Sequence, residues 1–135
     1  MLYAMDKPWW QKYHKEVEAG FEGEKIAPIS GCYNARRVQF GYGGNSGAGA
    51  LALAAHFGAR RIVMLGYDCK YAADGKRHWH GNHPKWLGNA VSLPHWFGQF
   101  SAMAKQLAGI EIVNATRDTA LEFWPRVTLE SALGH

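Results

Sequence analysis

Hydrophobic residues in this chain form short runs separated by glycine and polar loops, and the clearest pattern lies in the middle. Residues 62–65 (Ile-Val-Met-Leu) are a continuous apolar run, as in a strand covered on both faces. An alanine-rich stretch at 48–57 precedes this run, and Gly58 stands where a helix ends in the left-handed conformation. The pattern predicts a glycine loop at 41–47, a buried helix, a tight turn and a buried strand.

The remaining elements follow the same alternation of strand and helix. In chain order we expect a strand at 1–5, a helix at 9–19, strands at 25–28 and 36–40, a helix at 95–107, a strand at 110–113, a short turn or helix at 118–123 and a last helical turn or two in 127–133. Strands that alternate with helices favour a parallel sheet. The sequence therefore predicts a single α/β domain over residues 1–135, with a small, mainly parallel sheet flanked by helices.

Composition and charge narrow the class of protein. The chain has 135 residues, of which 47% are hydrophobic, and this suits one domain with a real core. The formal net charge of +4 comes from scattered basic residues, so a small anionic ligand is favoured over nucleic acid. Neither a signal peptide nor a membrane span is visible in the sequence. Cys32 and Cys69 lack metal-ligand spacing, which indicates reduced thiols in a cytoplasmic protein.

Polar residues follow three of the predicted strands, at the edge where ligands bind in open α/β sheets. Tyr67 and Asp68 emerge from the central strand. Asp68 is a candidate general base, metal ligand or ribose contact, and the alternative is a cap for the backbone of the next loop. Asp6 follows the first strand and has the same alternatives, while Asn114 and Thr116 extend the argument to the last strand.

The loop of Gly44, Asn45, Ser46 and Gly47 is a candidate site for a phosphate or a nucleobase. Asn45 or Ser46 can cap the following helix, because a short side-chain oxygen there accepts a hydrogen bond from an orphan backbone N–H. A helix N-terminus also favours anions. The loop matches neither the Walker pattern nor the dinucleotide fingerprint, and the alternative is that its glycines only turn the chain.

The segment 76–84 carries the densest group of side chains that could perform chemistry. His78, His80 and His83 lie within six residues. One interpretation is a zinc-like metal site, with a carboxylate brought in from elsewhere. A second is a catalytic or anion-binding loop, in which His80 or His83 acts as general acid or base. The third is a solvated surface loop.

Eight segments together carry a family resemblance: residues 2–6, 9–10, 44–47, 51–53, 58–62, 65–68, 75–84 and 113–116. They resemble a group of small phage and prophage proteins of unassigned function. More distantly, a helix that begins at Ser46-Gly47 and a strand that ends in Gly66-x-Asp68 are similar to bacterial sialyltransferases and hydroxymethylpterin diphosphokinase-like proteins. Those proteins have Rossmann-like folds. The resemblance implies a nucleotide sugar or a nucleoside triphosphate at the loop 45–47, in the cytoplasm of a bacterial host.

The chain departs from those enzymes at its start. They have a first strand and a GxGxS loop before the segments seen here, so the resemblance implies a shortened member or an internal start codon. The absent loop would supply part of the nucleotide site, so the resemblance supports binding more than catalysis.

Three functional hypotheses follow. The first is a glycosyltransferase-like or diphosphokinase-like transferase, in which Asn45 and Ser46 hold phosphate or sugar and Asp68 with His80 or His83 transfers protons, with a divalent metal as candidate cofactor. The second is a phage accessory module that binds a nucleotide or a protein without chemistry. The third is a metal protein built on the three histidines. The first strand begins abruptly and leaves an exposed edge, so we also expect a homodimer.

Overall fold

The computed structural model describes residues 1–78, 81–84, 87 and 90–134, which form a mixed α/β fold with two small parallel sheets and four helices. The strands are β1 (Leu2–Tyr3), β2 (Lys25–Ala27), β3 (Arg36–Arg37), β4 (Arg61–Met64) and β5 (Glu111–Asn114). The helices are α1 (Lys7–Gly20), α2 (Ser46–His56), α3 (Leu93–Gln106) and α4 (Leu129–Leu133). No helix in this described part is long and apolar enough to cross a membrane.

The predicted α/β class and parallel pairing are confirmed, but the strands form two separate ladders. The first sheet has the order β1-β2-β3, and the second pairs β4 with β5 from Arg61↔Glu111 to Met64↔Asn114. A parallel bridge from Asn114 to Arg126 continues the second sheet by one residue. Within the described ranges β1 pairs on one side with β2, so the edge expected there is present, and the homodimer stays a prediction.

Helix α2 packs against both sheets. Leu53 lies in a cluster with Ile26 of β2 and Val38. The larger cluster joins α2 to β4, α3 and β5, through buried residues that include Ala48, Leu51, Ala52, Met64, Phe100, Met103 and Ile112. Small side chains let the first sheet approach closely, since a Cβ at Gly49 would lie 2.1 Å from the Tyr3 hydroxyl. The alanine-rich stretch is therefore the central helix, as its composition predicts.

Local chemistry sets most of the element ends. Gly58 follows α2 with φ of +87°, which confirms the predicted left-handed stop. The predicted strand at 36–40 contains only two strand residues, and both arginines of β3 are exposed. Residues 118–123, predicted as a short turn or helix, form bends and irregular backbone, whereas α4 confirms the predicted last helical turn.

Candidate functional site

A cavity of about 230 Å³, here called the small cavity, lies just after β1 and beside the start of α2. Three segments that are distant in sequence contribute its lining: Met5 and Asp6; Gly44, Asn45 and Ser46; and His78, His83, Leu87, Ala90, Val91, Ser92 and Trp96. The structure thus brings Asp6, Gly44, Asn45, Ser46 and His83 of the predicted site residues together.

Asn45 fixes the start of α2. Its Oδ1 accepts a hydrogen bond from the Ala48 N–H at 2.9 Å, and its Nδ2 donates to Gln99 Oε1 of α3 at 2.8 Å. The side chain is buried, and both ends of the amide are engaged. Of the two predicted caps the structure selects Asn45, whose amide holds α2 against α3.

The first turn of α2 is open to the small cavity. Gly43 and Gly44 have φ values of +70° and +87°, which only glycine adopts readily, and they direct the chain into the helix. Ser46 is the first helical residue and is exposed. The N–H groups of Ser46 and Gly47 have no acceptor within the helix, as at any helix start. This end of the helix therefore offers N–H donors and the positive end of its dipole to an anion.

Asp6 is exposed and lines the small cavity. It stands at the N-cap of α1, yet its carboxylate makes no capping hydrogen bond, so it does not cap this helix. Burial, and secondarily the negative charge of Asp6, raises the pKa of Tyr3 to about 12. The carboxylate is therefore available to a ligand, and whether it contacts ribose, metal or a proton stays a prediction.

Two of the three clustered histidines face each other beside this cavity. The ring centroids of His78 and His83 lie 4.6 Å apart, with an angle of 62° between the ring planes. His80 lies outside the described residues. Among the residues that the structure describes, no group of three His, Cys, Asp or Glu side chains could hold a metal ion. The three-histidine metal site depends on His80 and stays a prediction.

A second cavity of about 1020 Å³, here called the large cavity, lies at the carboxyl ends of β4 and β5. Asp68 lines it, with the loop at 70–78, the residues after β5 and the segment at 126–130. Asp68 and His83 therefore line different cavities. Among the described residues, His78 is the one that lines both.

Three predicted ligand residues form hydrogen bonds that hold the ends of β4 and β5 together, and one of them, Thr116, also lines the large cavity. Asn114 is fully buried, and its Oδ1 accepts from the Thr116 N–H at 3.0 Å. The Thr116 Oγ1 accepts from the Tyr67 N–H at 3.0 Å, and the Tyr67 hydroxyl donates to the Gly47 carbonyl at 3.2 Å. Burial raises the pKa of Tyr67. These side chains therefore connect the ends of β4 and β5 to the start of α2.

Charged side chains of both signs line the large cavity. Lys70 forms an ion pair with Asp118, and Lys76 pairs with Asp74 at 2.6 Å. Hydrogen bonds from the side chain and backbone of Lys76 lower the pKa of Asp74.

Arg117 and Arg126, which line the large cavity together with Arg77, are not among the residues predicted from the sequence, since no motif links them. Arg126 reaches the cavity through its bridge to Asn114, which is a tertiary pairing with no local signal.

No protein-family model, curated protein or solved structure matches this chain.

Proposed function

We propose that this chain is a Rossmann-like, phage-related protein that binds a nucleotide or nucleotide sugar, with a phosphate group at the N-terminus of α2. One observation carries the proposal: the small cavity gathers the open start of this helix, the Asp6 carboxylate and two imidazoles from distant segments. The helix start supplies N–H donors and a partial positive charge. The cavity of about 230 Å³ is smaller than the roughly 300–1,000 Å³ of most ligand sites, so it encloses the phosphate end of the ligand.

The positions of Asp68 and His83 suit group transfer between ligands in adjoining cavities. An acceptor hydroxyl in the large cavity gives its proton to Asp68 while its oxygen forms a bond to the sugar carbon. The bond from that carbon to the donor phosphate breaks, and His83 supplies a proton to the departing phosphate oxygen. His80, in the same loop, is the alternative acid. This is the chemistry of a glycosyltransferase-like enzyme.

A second candidate function is binding without chemistry, as in a phage accessory module. The engagement of Asn45, Asn114 and Thr116 in the fold favours it, because fewer side chains are then left to act on a substrate. Analysis of the products in mixtures of protein and ligand distinguishes the transferase from the binding module. Released nucleotide or transferred sugar supports the enzyme, and intact ligand supports the binding module.

The proposal is tested by a thermal-shift screen with nucleotides and nucleotide sugars, on the wild type and on Ser46→Glu. A ligand that binds only the folded state raises the melting temperature. A carboxylate at the first helical position favours the helix but repels phosphate. A like charge about 4 Å away costs about 1 to 4 kcal/mol, so we expect affinity to fall by about tenfold or more.

The matched control is Gln11→Glu, which adds the same charge on an exposed position of α1, outside both cavities. It should bind as the wild type does. If no member of the panel stabilises the folded wild type, or if Ser46→Glu binds with unchanged affinity, the phosphate site at α2 is wrong.

A further inference from the structure

Within the described part of the chain, two arginines of the large cavity differ from the lysines beside them. Lys70 and Lys76 are each paired with an aspartate. Arg117 and Arg126 form no ion pair with any described residue, although both line the cavity. Of the exposed arginines elsewhere, Arg36 pairs with Glu24 and Arg61 pairs with Glu111. Arg37 and Arg60 are also exposed and form no ion pair with a described residue. What distinguishes Arg117 and Arg126 is that their positive charge lies in the lining of a cavity and is not offset by an ion pair with a described residue.

Arg126 is held in place by the backbone around it. Its neighbours form the bridge to β5, with the Asn114 N–H donating to the Pro125 carbonyl at 2.8 Å and the Val127 N–H donating to the Asn114 carbonyl at 3.1 Å. Its own Nη2 donates to the carbonyls of Thr116 and Arg117 at 3.3 and 2.8 Å. A guanidinium has further donors on Nη1 and Nε. Because the group is already fixed, a ligand that binds these donors loses less side-chain entropy.

The cavity also contains carboxylates that can accept hydrogen bonds. Asp68 and Glu130 line it, and neither forms an ion pair with a described residue. Side chains of this kind accept hydrogen bonds from hydroxyl or amino groups. An occupant that satisfies both sets of groups carries an oxyanion at one end and hydrogen-bond donors elsewhere.

We propose that the large cavity is a binding site for a small organic acid that carries hydroxyl or amino groups, with Arg126 as the anchor for its oxyanion. The Nη1 and Nε donors that remain can each bind an oxygen of a carboxylate or a phosphate in a charge-assisted hydrogen bond. Arg117 lies next to this anchor, and Asp68 and Glu130 receive the hydroxyl or amino groups. If the proposed transferase activity is correct, this ligand is the acceptor, but the site itself does not depend on that activity.

Protein labelled with ¹⁵N-arginine is titrated with inorganic phosphate and, separately, with gluconate, while the Nε–H signals of Arg126 and Arg36 are followed by NMR. We expect a saturable shift at Arg126 and none at Arg36, whose guanidinium is paired with Glu24. A saturable shift with gluconate identifies a carboxylate ligand, and one with phosphate alone identifies a phosphate ester. Parallel, unsaturated shifts of both signals would mean non-specific surface association and would overturn the site.

Arg126→Gln removes the charge and keeps an amide donor for the carbonyls of residues 116 and 117. We expect about tenfold weaker binding of the probe that saturates, since hydrogen bonds to a charged group are lost. Arg36→Gln is the control and should bind like the wild type. Equal affinity in Arg126→Gln contradicts the proposal. If this variant does not fold, the wild-type titration decides alone.

The same titration of Ser46→Glu separates this inference from the nucleotide site. Unchanged saturation at Arg126 supports two distinct sites, whether or not nucleotides bind the wild type. If Ser46→Glu abolishes the Arg126 response, one ligand spans both cavities and the separate acid site is wrong.

Discussion

The small and large cavities adjoin at His78, yet their polar groups are used differently. In the small cavity the side-chain amide of Asn45 is engaged in the fold, and helix N–H groups and the Asp6 carboxylate are open to a ligand beside two imidazoles. In the large cavity the buried amide of Asn114 holds the strand end, and the open groups are arginines and carboxylates. At each cavity a buried amide that forms hydrogen bonds through both its oxygen and its nitrogen holds the backbone in place: Asn45 at the start of α2 and Asn114 at the end of β5. Exposed charges and backbone donors are the groups that remain for a ligand.

The largest expected loss of unfolding free energy comes from changing Asn114, at the end of β5 beside the large cavity. Asn114→Ala leaves the Thr116 N–H without its acceptor and removes the donor to the Leu121 carbonyl. A buried unsatisfied group and two lost hydrogen bonds together cost about 3 kcal/mol of unfolding free energy. Asn45→Ala removes a helix cap at the small cavity and should cost less, about 1 to 2 kcal/mol.

Urea denaturation of both variants measures this difference, with Asn34→Ala as the control. Asn34 is exposed and bonds only to Glu18 among the described residues, so its loss should change stability by about 0.5 kcal/mol or less. If Asn114→Ala lowers the free energy of unfolding by less than about 1 kcal/mol, Asn114 does not hold the end of β5 in the way proposed here.

A smaller effect concerns Tyr3, beside the small cavity. Its hydroxyl is buried and has no hydrogen-bond partner among the described residues, and its pKa is raised from 10.0 to about 12, mainly by burial. Below pH 10 the phenol is neutral in both states. As the pH rises from about 10 to about 12, the Tyr3 phenol ionises in the unfolded state before it ionises in the folded state, so the free energy of unfolding falls.

Tyr3→Phe should therefore lose less stability than the wild type between about pH 10 and 12, and little at neutral pH, because it removes an unsatisfied hydroxyl. Some alkaline loss should remain, since burial also raises the pKa of Tyr67. Unfolding free energies measured across this range check the prediction, and identical pH slopes for the two proteins would refute it.

Features encoded by neighbouring residues could be predicted from the sequence. Asn45 caps α2 and Gly58 ends it because capping and left-handed turns depend on residues only a few positions apart. The alternation of strands and helices predicts the parallel pairing. Because the carboxyl ends of parallel strands share one edge, Asp6 after β1 lies near the glycine loop after β3.

Features that depend on which distant segments meet could not be predicted. The order of residues along the loop did not reveal that Asp68 and His83 line different cavities. Arg126 becomes a candidate anchor only through its bridge to Asn114, twelve positions earlier in the chain. Asn114 and Thr116 stand at a strand end, as a ligand residue would, but burial and mutual hydrogen bonding give them a structural role.

The central claim, that a phosphate binds at the start of α2, is tested most directly by backbone amide NMR during titration with cytidine monophosphate and with adenosine triphosphate. A phosphate bound there must contact the N–H groups of Ser46 and Gly47. We predict saturable shifts that are largest at these two amides and at the signals of His83. The claim is contradicted if a nucleotide saturates the protein while the signals of both amides stay unchanged, or if neither nucleotide produces a saturable shift.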